Sequence, residues 1–211
     1  MKKVFLATAA MFLAVGVFAQ GQPLGFGLKA GVNFPKYNFS GSNSDYETNS
    51  TTNFHVTAFL DAPLSSNFSV QPGISLQGKG AELHSSELGT YKQNTMYIEV
   101  PVNFAVKFPV QNAGNFFLGA GPYVAFGISG KNKYDSDWGS TKTDFEFDKD
   151  GTLKGTDFGV NFMGGFQLAN GFLIHGGYGL GLTDIRGSNN EYFPEDRLTN
   201  RVWTVGLGFL F

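Results

Sequence analysis

The sequence predicts an all-β fold, an eight-stranded antiparallel β-barrel, from three observations. Apolar and polar residues alternate with a period of two in eight segments, which is the pattern of strands whose two faces meet different surroundings. The number of segments is even, so an up-and-down meander closes on itself with both termini on one side. Long polar connections alternate with short ones, which places all the long loops at one end of the barrel.

The N-terminal segment, residues 1–19, has the order of a secretory signal peptide. A basic start with two lysines is followed by an apolar run over residues 4–18 and small residues before Gln20. A membrane-spanning helix needs about 20 apolar residues, more than this run contains. We therefore expect cleavage after Ala19, export from the cytoplasm, and a single barrel domain over residues 20–211.

The segment from Tyr97 to Phe108 shows the alternation most clearly. Its even-numbered residues are all apolar, whereas the odd-numbered ones include Glu99 and Lys107. A helix would mix these two sets, and a strand separates them onto opposite faces. The apolar faces of the other seven predicted strands run, in chain order, over Phe26 to Phe34, Phe54 to Leu60, Phe68 to Leu76, Leu118 to Ile128, Phe158 to Leu168, Ile174 to Leu182 and Trp203 to Phe211.

The connections between these strands fall into two groups. The long polar ones cover residues 36–53, 81–94, 129–156 and 186–198, and the short ones cover residues 61–67, 109–115 and 169–171. The last short link contains Asn170-Gly171, a strong signal for a tight turn. Short periplasmic turns and long outer loops are typical of outer-membrane barrels.

The composition of the polar face indicates that it lines the lumen. This face is rich in glycine and carries few charges, whereas a water-facing exterior would carry many more. A narrow eight-stranded lumen needs small residues beside a few large ones, because side chains must fill it. The opposite face is apolar with aromatic residues near the strand ends, which suits lipid. The sequence therefore predicts a transmembrane barrel, with a soluble secreted barrel as the alternative.

Six charged residues fall on the predicted luminal face. They are Lys29, Asp61, Lys79, Glu99, Lys107 and Asp157. An unpaired charge in a narrow lumen is costly, so three cations should balance three anions. We expect Glu99 to pair with Lys29 or Lys79. Together with bulky inward residues, these charges predict a plugged barrel rather than an aqueous channel.

Composition excludes several classes of function. The formal net charge is -2 and the sequence contains no basic stripe, which argues against a nucleic-acid partner. The chain has no cysteine, so it forms no disulfide, thiolate metal site or cysteine nucleophile, and it carries no lipoprotein anchor.

The three histidines are the remaining candidates for acid-base or metal chemistry. No two of His55, His84 and His175 stand at metal-ligand spacing in the sequence. An outer-membrane acyltransferase or lipid-A esterase needs a Ser or His near a carboxylate, and His55 with Asp157 is the best available pair. No nucleophile motif accompanies it. We expect no catalytic residue, cofactor or metal site.

The end of the chain resembles the C-terminal assembly signal of bacterial outer-membrane barrels. The pattern is Thr204-x-Gly206-x-x-Phe209-x-Phe211, with an aromatic residue at the last position. This resemblance implies the barrel-assembly machinery as a partner.

Two further motifs carry a resemblance to a family. Tyr97-x-Glu99-x-Pro101 and the run from Ala120 to Tyr123 look like the PorT-like outer-membrane β-barrel domain of Bacteroides-related bacteria. The resemblance covers essentially residues 20–211. It implies the fold and the location but leaves the activity open, although one branch of that family serves in protein secretion.

These observations favour a non-enzymatic outer-membrane barrel that anchors surface loops. The loops would meet ligands, partners or lipopolysaccharide, and the wall would contact outer-membrane lipid. A monomer is expected, because one chain supplies every strand and closure leaves no edge. A lipid-modifying enzyme and a small-solute channel are the alternatives.

Overall fold

The computed structural model describes residues 23–40, 48–85, 89–136, 139–145, 147, 153–187 and 197–211. All regular secondary structure in these ranges is β-strand. The strands are β1 (Gly25–Ser40), β2 (Thr48–Asn49), β3 (Asn53–Pro63), β4 (Phe68–Ser85), β5 (Gly89–Val110), β6 (Gly114–Ser136), β7 (Gly139–Phe145), β8 (Thr156–Leu168), β9 (Phe172–Gly181) and β10 (Arg197–Leu210). Within the described ranges, no helix has the length and hydropathy to cross a membrane.

Eight of the ten strands form a closed antiparallel ring. Its order is β1, β3, β4, β5, β6, β8, β9, β10 and back to β1, so each barrel strand pairs with the barrel strands before and after it in the chain. The last strand closes the ring on the first, in a register that runs from Gly27 opposite Leu210 to Ser40 opposite Arg197. This up-and-down barrel confirms the predicted fold.

The short turns lie at one end of the barrel, together with the start of β1 and the end of β10. The turns occupy residues 64–67, 111–113 and 169–171. Asn112 and Gly171 adopt positive φ angles of 59° and 91°, a conformation that Asn and Gly tolerate best. The predicted tight turn at Asn170-Gly171 is therefore present at this end.

At the opposite end the structure corrects the predicted loops. Much of residues 81–94 and 129–156 was expected to be irregular, but β4 and β5 stay paired as far as Ser85 opposite Gly89, and β7 returns along β6. We call this part of β4 to β7 the outer extension. Its strands have polar residues on both faces, so the period-two signal disappears although the backbone ladder continues.

The apolar face of the barrel strands points outward, as the sequence predicts. The side chains of Phe104 and Trp203 are each 59% exposed, whereas Tyr97 and Tyr123 on the opposite face are 0% and 2% exposed. All eight barrel strands carry exposed large apolar residues, among them Phe26, Phe54, Phe68, Phe108, Leu118, Phe158, Ile174 and Leu207. This continuous apolar band is the surface that a barrel presents to lipid.

Apolar clusters occupy both ends of the lumen. Near the short turns, Phe59, Phe117 and Leu173 pack together. At the other end, Leu153, Ile185 and Leu198 are fully buried together with Tyr37 and Ala81. Polar and charged side chains line the space between these clusters, together with Tyr97, Tyr123 and Ala125.

Candidate functional site

Lys79 is the centre of a buried charge cluster in the outer half of the lumen. Its Nζ lies 3.1 Å from Glu99 Oε2 and 3.0 Å from Asp157 Oδ2, and neither carboxylate-bearing side chain is more than 3% exposed. The ammonium group also lies 4.3 Å from the centroid of the Tyr123 ring. Of the two cations considered for Glu99 from the sequence, the structure therefore places Lys79 beside it.

Neutral donors add hydrogen bonds to both carboxylates, although Asp157 Oδ1 is buried without a hydrogen-bond partner among the described residues. Asp157 Oδ2 accepts hydrogen bonds from the Tyr123 hydroxyl at 3.2 Å and from Asn200 Nδ2 at 2.9 Å. Asn161 Nδ2 donates to Glu99 Oε1 at 2.9 Å. The cluster thus joins β4, β5, β6, β8 and β10 across the lumen. A carboxylate held by a cation and further donors is suited to crosslinking the barrel and poorly suited to acting as a general base.

A second ion pair lies nearer the short turns. Lys107 Nζ contacts Asp61 Oδ2. Gln71 Nε2 donates to the other oxygen of the same carboxylate at 2.9 Å. Asp61 and Gln71 are almost fully buried, whereas the Lys107 side chain is partly exposed at the end of the barrel.

Lys29 is the luminal lysine for which the described residues provide no ion pair. Its Nζ lies 3.6 Å from Met163 Sδ and 4.3 Å from the centroid of the Phe59 ring. No carboxylate in the described part of the chain lies within ion-pair distance of it. The three cations and three anions balance in number, but they do not form three pairs.

The barrel brings together two histidines that are 120 residues apart in the sequence. The ring centroids of His55 and His175 lie 5.5 Å apart. His55 Nδ1 lies 2.7 Å from Asn33 Oδ1, and the Asn33 amide nitrogen already donates to Gln77 Oε1. His55 therefore donates from Nδ1. Sequence spacing missed this pair, and only the common luminal face of both residues pointed to it.

Two candidate arrangements from the sequence, a metal-binding group and the His55–Asp157 pair, were compared with the described residues. No group of three His, Asp, Glu or Cys side chains lies within reach of one metal ion there. The His55 and Asp157 pair considered for an enzyme does not form, because His55 bonds to Asn33 and Asp157 to Lys79. The side chain of His84 lies outside the described residues.

A cavity of about 80 Å³ lies in the middle of the lumen. It is bounded by the cluster around Lys79 on one side and by Met163 on the other. Its polar lining includes Lys29, His55, Thr57, Ser75, Asn103, Asn161, His175 and Thr204. A space of this size accommodates a few water molecules or one small ion.

Comparison with known families decides the classification. The model of the outer membrane protein beta-barrel domain family matches residues 18–187. The chain belongs to this family. This membership, with the apolar outer band, makes the protein a β-barrel of the bacterial outer membrane.

Among solved structures, the outer-membrane barrel is similar to three small barrels at low sequence identity. Ail, the attachment invasion locus protein of Yersinia pestis, is 14% identical, with 90% of this chain and 100% of that chain covered and a TM-score of 0.43. Neisserial surface protein A is 11% identical, with 90% and 100% covered and a TM-score of 0.47. OprG of Pseudomonas aeruginosa is 12% identical, with 89% and 95% covered and a TM-score of 0.46. A comparison with curated proteins finds no match.

The residues of the C-terminal pattern divide between the two faces of the barrel. Thr204 lines the cavity, and a Cβ added at Gly206 would lie 2.8 Å from His175 Nε2. Phe209 and Phe211 point outward, and Phe211 is 70% exposed. The backbone N–H of Phe211 donates to the Phe26 carbonyl at 2.8 Å, which fixes the chain end beside β1.

At the outer mouth, Asp184 holds two segments together. Its Oδ1 accepts backbone hydrogen bonds from Leu198 at 3.0 Å and Arg186 at 3.2 Å, and Oδ2 lies 3.4 Å from Lys154 Nζ. Partial burial raises the pKa of this carboxyl, but the two backbone N–H groups and Lys154 outweigh that effect, so its pKa lies below the usual value.

Proposed function

We propose that this outer-membrane barrel is a non-conducting, non-enzymatic anchor that holds the outer extension at the cell surface. The observation that carries the proposal is the closure of the lumen at successive levels. The Lys79 cluster crosses its outer half, and the apolar clusters around Phe59 and Leu198 close the two ends. Each level is made by side chains of several strands, so solute passage would require a concerted rearrangement.

The outer cluster supports this closure most directly. Leu153 and Ile185 are each 0% exposed although both lie outside the barrel strands. Leu153 forms a β-bridge with Arg186, and the Phe147 ring lies 5.2 Å from the ring of Tyr97. Residues of the outer connections thus fold down into the mouth, where they act as a lid of apolar side chains.

The outer extension supports a role at the surface. Its outward face carries Lys92, Lys133 and Lys142 directly opposite one another on β5, β6 and β7. Glu82 pairs with Lys92 at 3.3 Å at the end of this row. Positive side chains in register form a basic row whose charge is complementary to that of anionic groups. Phosphate groups of lipopolysaccharide around the barrel are anionic, and we propose them as the partner of this face.

The finer classification and the assembly state are part of the same proposal. The Tyr97-x-Glu99-x-Pro101 motif supports a PorT-like member, exported by the signal peptide of residues 1–19 and inserted by the barrel-assembly machinery. The closed ring supports a monomer, since the membrane-spanning wall has no free strand edge.

An assay for conductance tests the plugged anchor. The purified protein, inserted into planar bilayers beside a diffusion porin as positive control, should give no stable conductance steps of porin size. Sugar-loaded liposomes that contain it should not leak. Regular steps from a preparation shown to be free of porins would overturn the proposal and favour solute transport.

An assay for chemistry tests the non-enzymatic part. The protein is incubated with lipopolysaccharide and phospholipid, and the molecular masses of both lipids are then measured by mass spectrometry. Unchanged masses are expected, because the luminal carboxylates are occupied by cations and donors. Transfer or loss of an acyl chain would refute this part and favour the lipid-modifying alternative.

A further inference from the structure

We infer that the mid-lumen cavity is a binding site for a small monovalent anion of the size of chloride, held by Lys29 and His175. The site is distinct from the outer extension and does not depend on the proposed surface role. It rests on the charge distribution in the lumen, on the shape of the cavity and on unused hydrogen-bond donors.

The charge distribution leaves a local positive excess at Lys29. Lys79 forms ion pairs with two carboxylates, Glu99 and Asp157, and Lys107 forms one with Asp61. Lys29 is only 9% exposed and makes its contacts with a thioether and an aromatic face. Burying an ammonium group without a counter-charge is costly, so an anion beside it is favoured.

The two histidines place a second donor in the same cavity. His175 lines the cavity, and its Nε2 is buried without a hydrogen-bond partner among the described residues. A buried nitrogen of this kind normally finds a partner, and a rotation of the ring toward the cavity would let a ligand supply it. Nε2 donates in one neutral tautomer of His175, and in that tautomer it would complement the Lys29 ammonium group.

Two glycines in the barrel wall leave space for the His55 and His175 rings. Gly31 and Gly206 face each other across β1 and β10. A Cβ at Gly31 would lie 2.8 Å from His55 Cε1, and one at Gly206 would lie 2.8 Å from His175 Nε2. A larger side chain would press on the imidazoles and, more closely, on the paired strand, since a Cβ at Gly31 would lie 2.1 Å from the Val205 carbonyl oxygen and one at Gly206 2.4 Å from the Ala30 carbonyl oxygen. The wall is therefore thinned where the two rings lie.

The same features select an anion over a metal cation. Lys29 lines the cavity beside both histidines, and its ammonium group would repel a divalent metal. Transition metals also take at least three protein ligands in most sites, and the described residues supply only the two imidazoles here. The volume of about 80 Å³ further limits the ligand to a small ion with a few waters.

Crystals of the mature protein grown in sodium bromide give a direct test. Bromide replaces chloride and scatters anomalously, so an anomalous peak in the cavity within hydrogen-bond distance of Lys29 Nζ is expected. A cavity without such a peak, in crystals where surface bromides are visible, would overturn the inference. This measurement uses the unmutated chain and does not depend on whether any variant folds.

Stability in solution gives a second test. At constant sodium concentration, with gluconate as the large replacement anion, chloride at about tenfold above its Kd should raise the thermal midpoint by roughly 3 to 6 °C. Lys29→Met should abolish this rise, whereas Lys29→Arg should keep it. Lys36→Met is the matched control, because Lys36 lies on the same strand but is exposed on the outer face.

The outcomes separate the anion site from a general salt effect. Loss of the chloride response in Lys29→Met, with its retention in Lys36→Met, is the expected result. An equal response in both variants, or no response in the wild-type protein, would refute a site at Lys29. The conductance of the barrel plays no part in either readout, so failure here leaves the plugged-anchor proposal standing.

Discussion

Removal of the Lys79 charge is the sharpest test of how the lumen is stabilised. Lys79→Met keeps most of the side-chain volume but leaves two buried carboxylates without their cation. Asp157 keeps the donors Tyr123 and Asn200, and Glu99 keeps Asn161 as its one side-chain donor among the described residues. The variant therefore removes both ion pairs and keeps the neutral hydrogen bonds, so its loss of stability measures the ion pairs.

The expected loss follows from the burial of the cluster. Breaking a buried ion pair by removing one partner costs about 3 to 5 kcal/mol, because the remaining charge is uncompensated. Lys79, Glu99 and Asp157 are each no more than 2% exposed, so solvent does little to screen them. We expect Lys79→Met to lose about 3 to 5 kcal/mol in the free energy of unfolding.

A neutral triple variant is the matched control. Lys79→Met combined with Glu99→Gln and Asp157→Asn removes all three charges and keeps the volumes. Replacing a whole buried ionic group by uncharged side chains of similar volume often changes the free energy of unfolding little. The triple variant should therefore recover to within about 1 or 2 kcal/mol of wild type.

Both quantities are measured by reversible urea unfolding of the barrel in lipid vesicles. Tryptophan fluorescence reports the unfolding, since Trp203 lies on the lipid-facing side and would move into water. The heat-modifiable shift in gel migration gives an independent probe. A Lys79→Met variant within about 1 kcal/mol of wild type, or a triple variant less stable than the single one, would refute the reasoning.

Three further predictions concern the outer mouth, the wall and the topology. Asp184→Asn should cost about 1 kcal/mol at neutral pH, and because the folded pKa of Asp184 is lowered, this cost should vanish as the pH falls through that pKa, as pH-dependent unfolding will show. Gly121→Ala should reduce folded barrel in vesicle refolding, since its Cβ would lie 1.9 Å from the Val102 carbonyl oxygen, whereas Gly176→Ala, with 3.5 Å to its nearest atom, should fold normally. A cysteine at exposed Ser140 should react with a membrane-impermeant reagent on intact cells and one at Ser66 should not, and the reverse pattern would invert the orientation.

The sequence by itself determined the number of barrel strands, the two faces of each strand and which end of the barrel carries the short turns. A side-chain period of two assigns each residue to a face without knowledge of the neighbours, and lipid demands an unbroken apolar face. Phe104 on the outside and Tyr97 on the inside followed from this rule alone. The turn at Asn170-Gly171 followed from local backbone chemistry.

The tertiary structure decided which luminal residues meet. Lys79 and Asp157 are 78 residues apart, and His55 and His175 belong to strands that are not neighbours in the ring. Alternation gives the face but not the height in the lumen, because height depends on the stagger of the strands when the barrel closes. Lys29 illustrates the difference: the sequence placed it inside, but only the closed barrel shows that no carboxylate of the described residues lies within ion-pair distance of it.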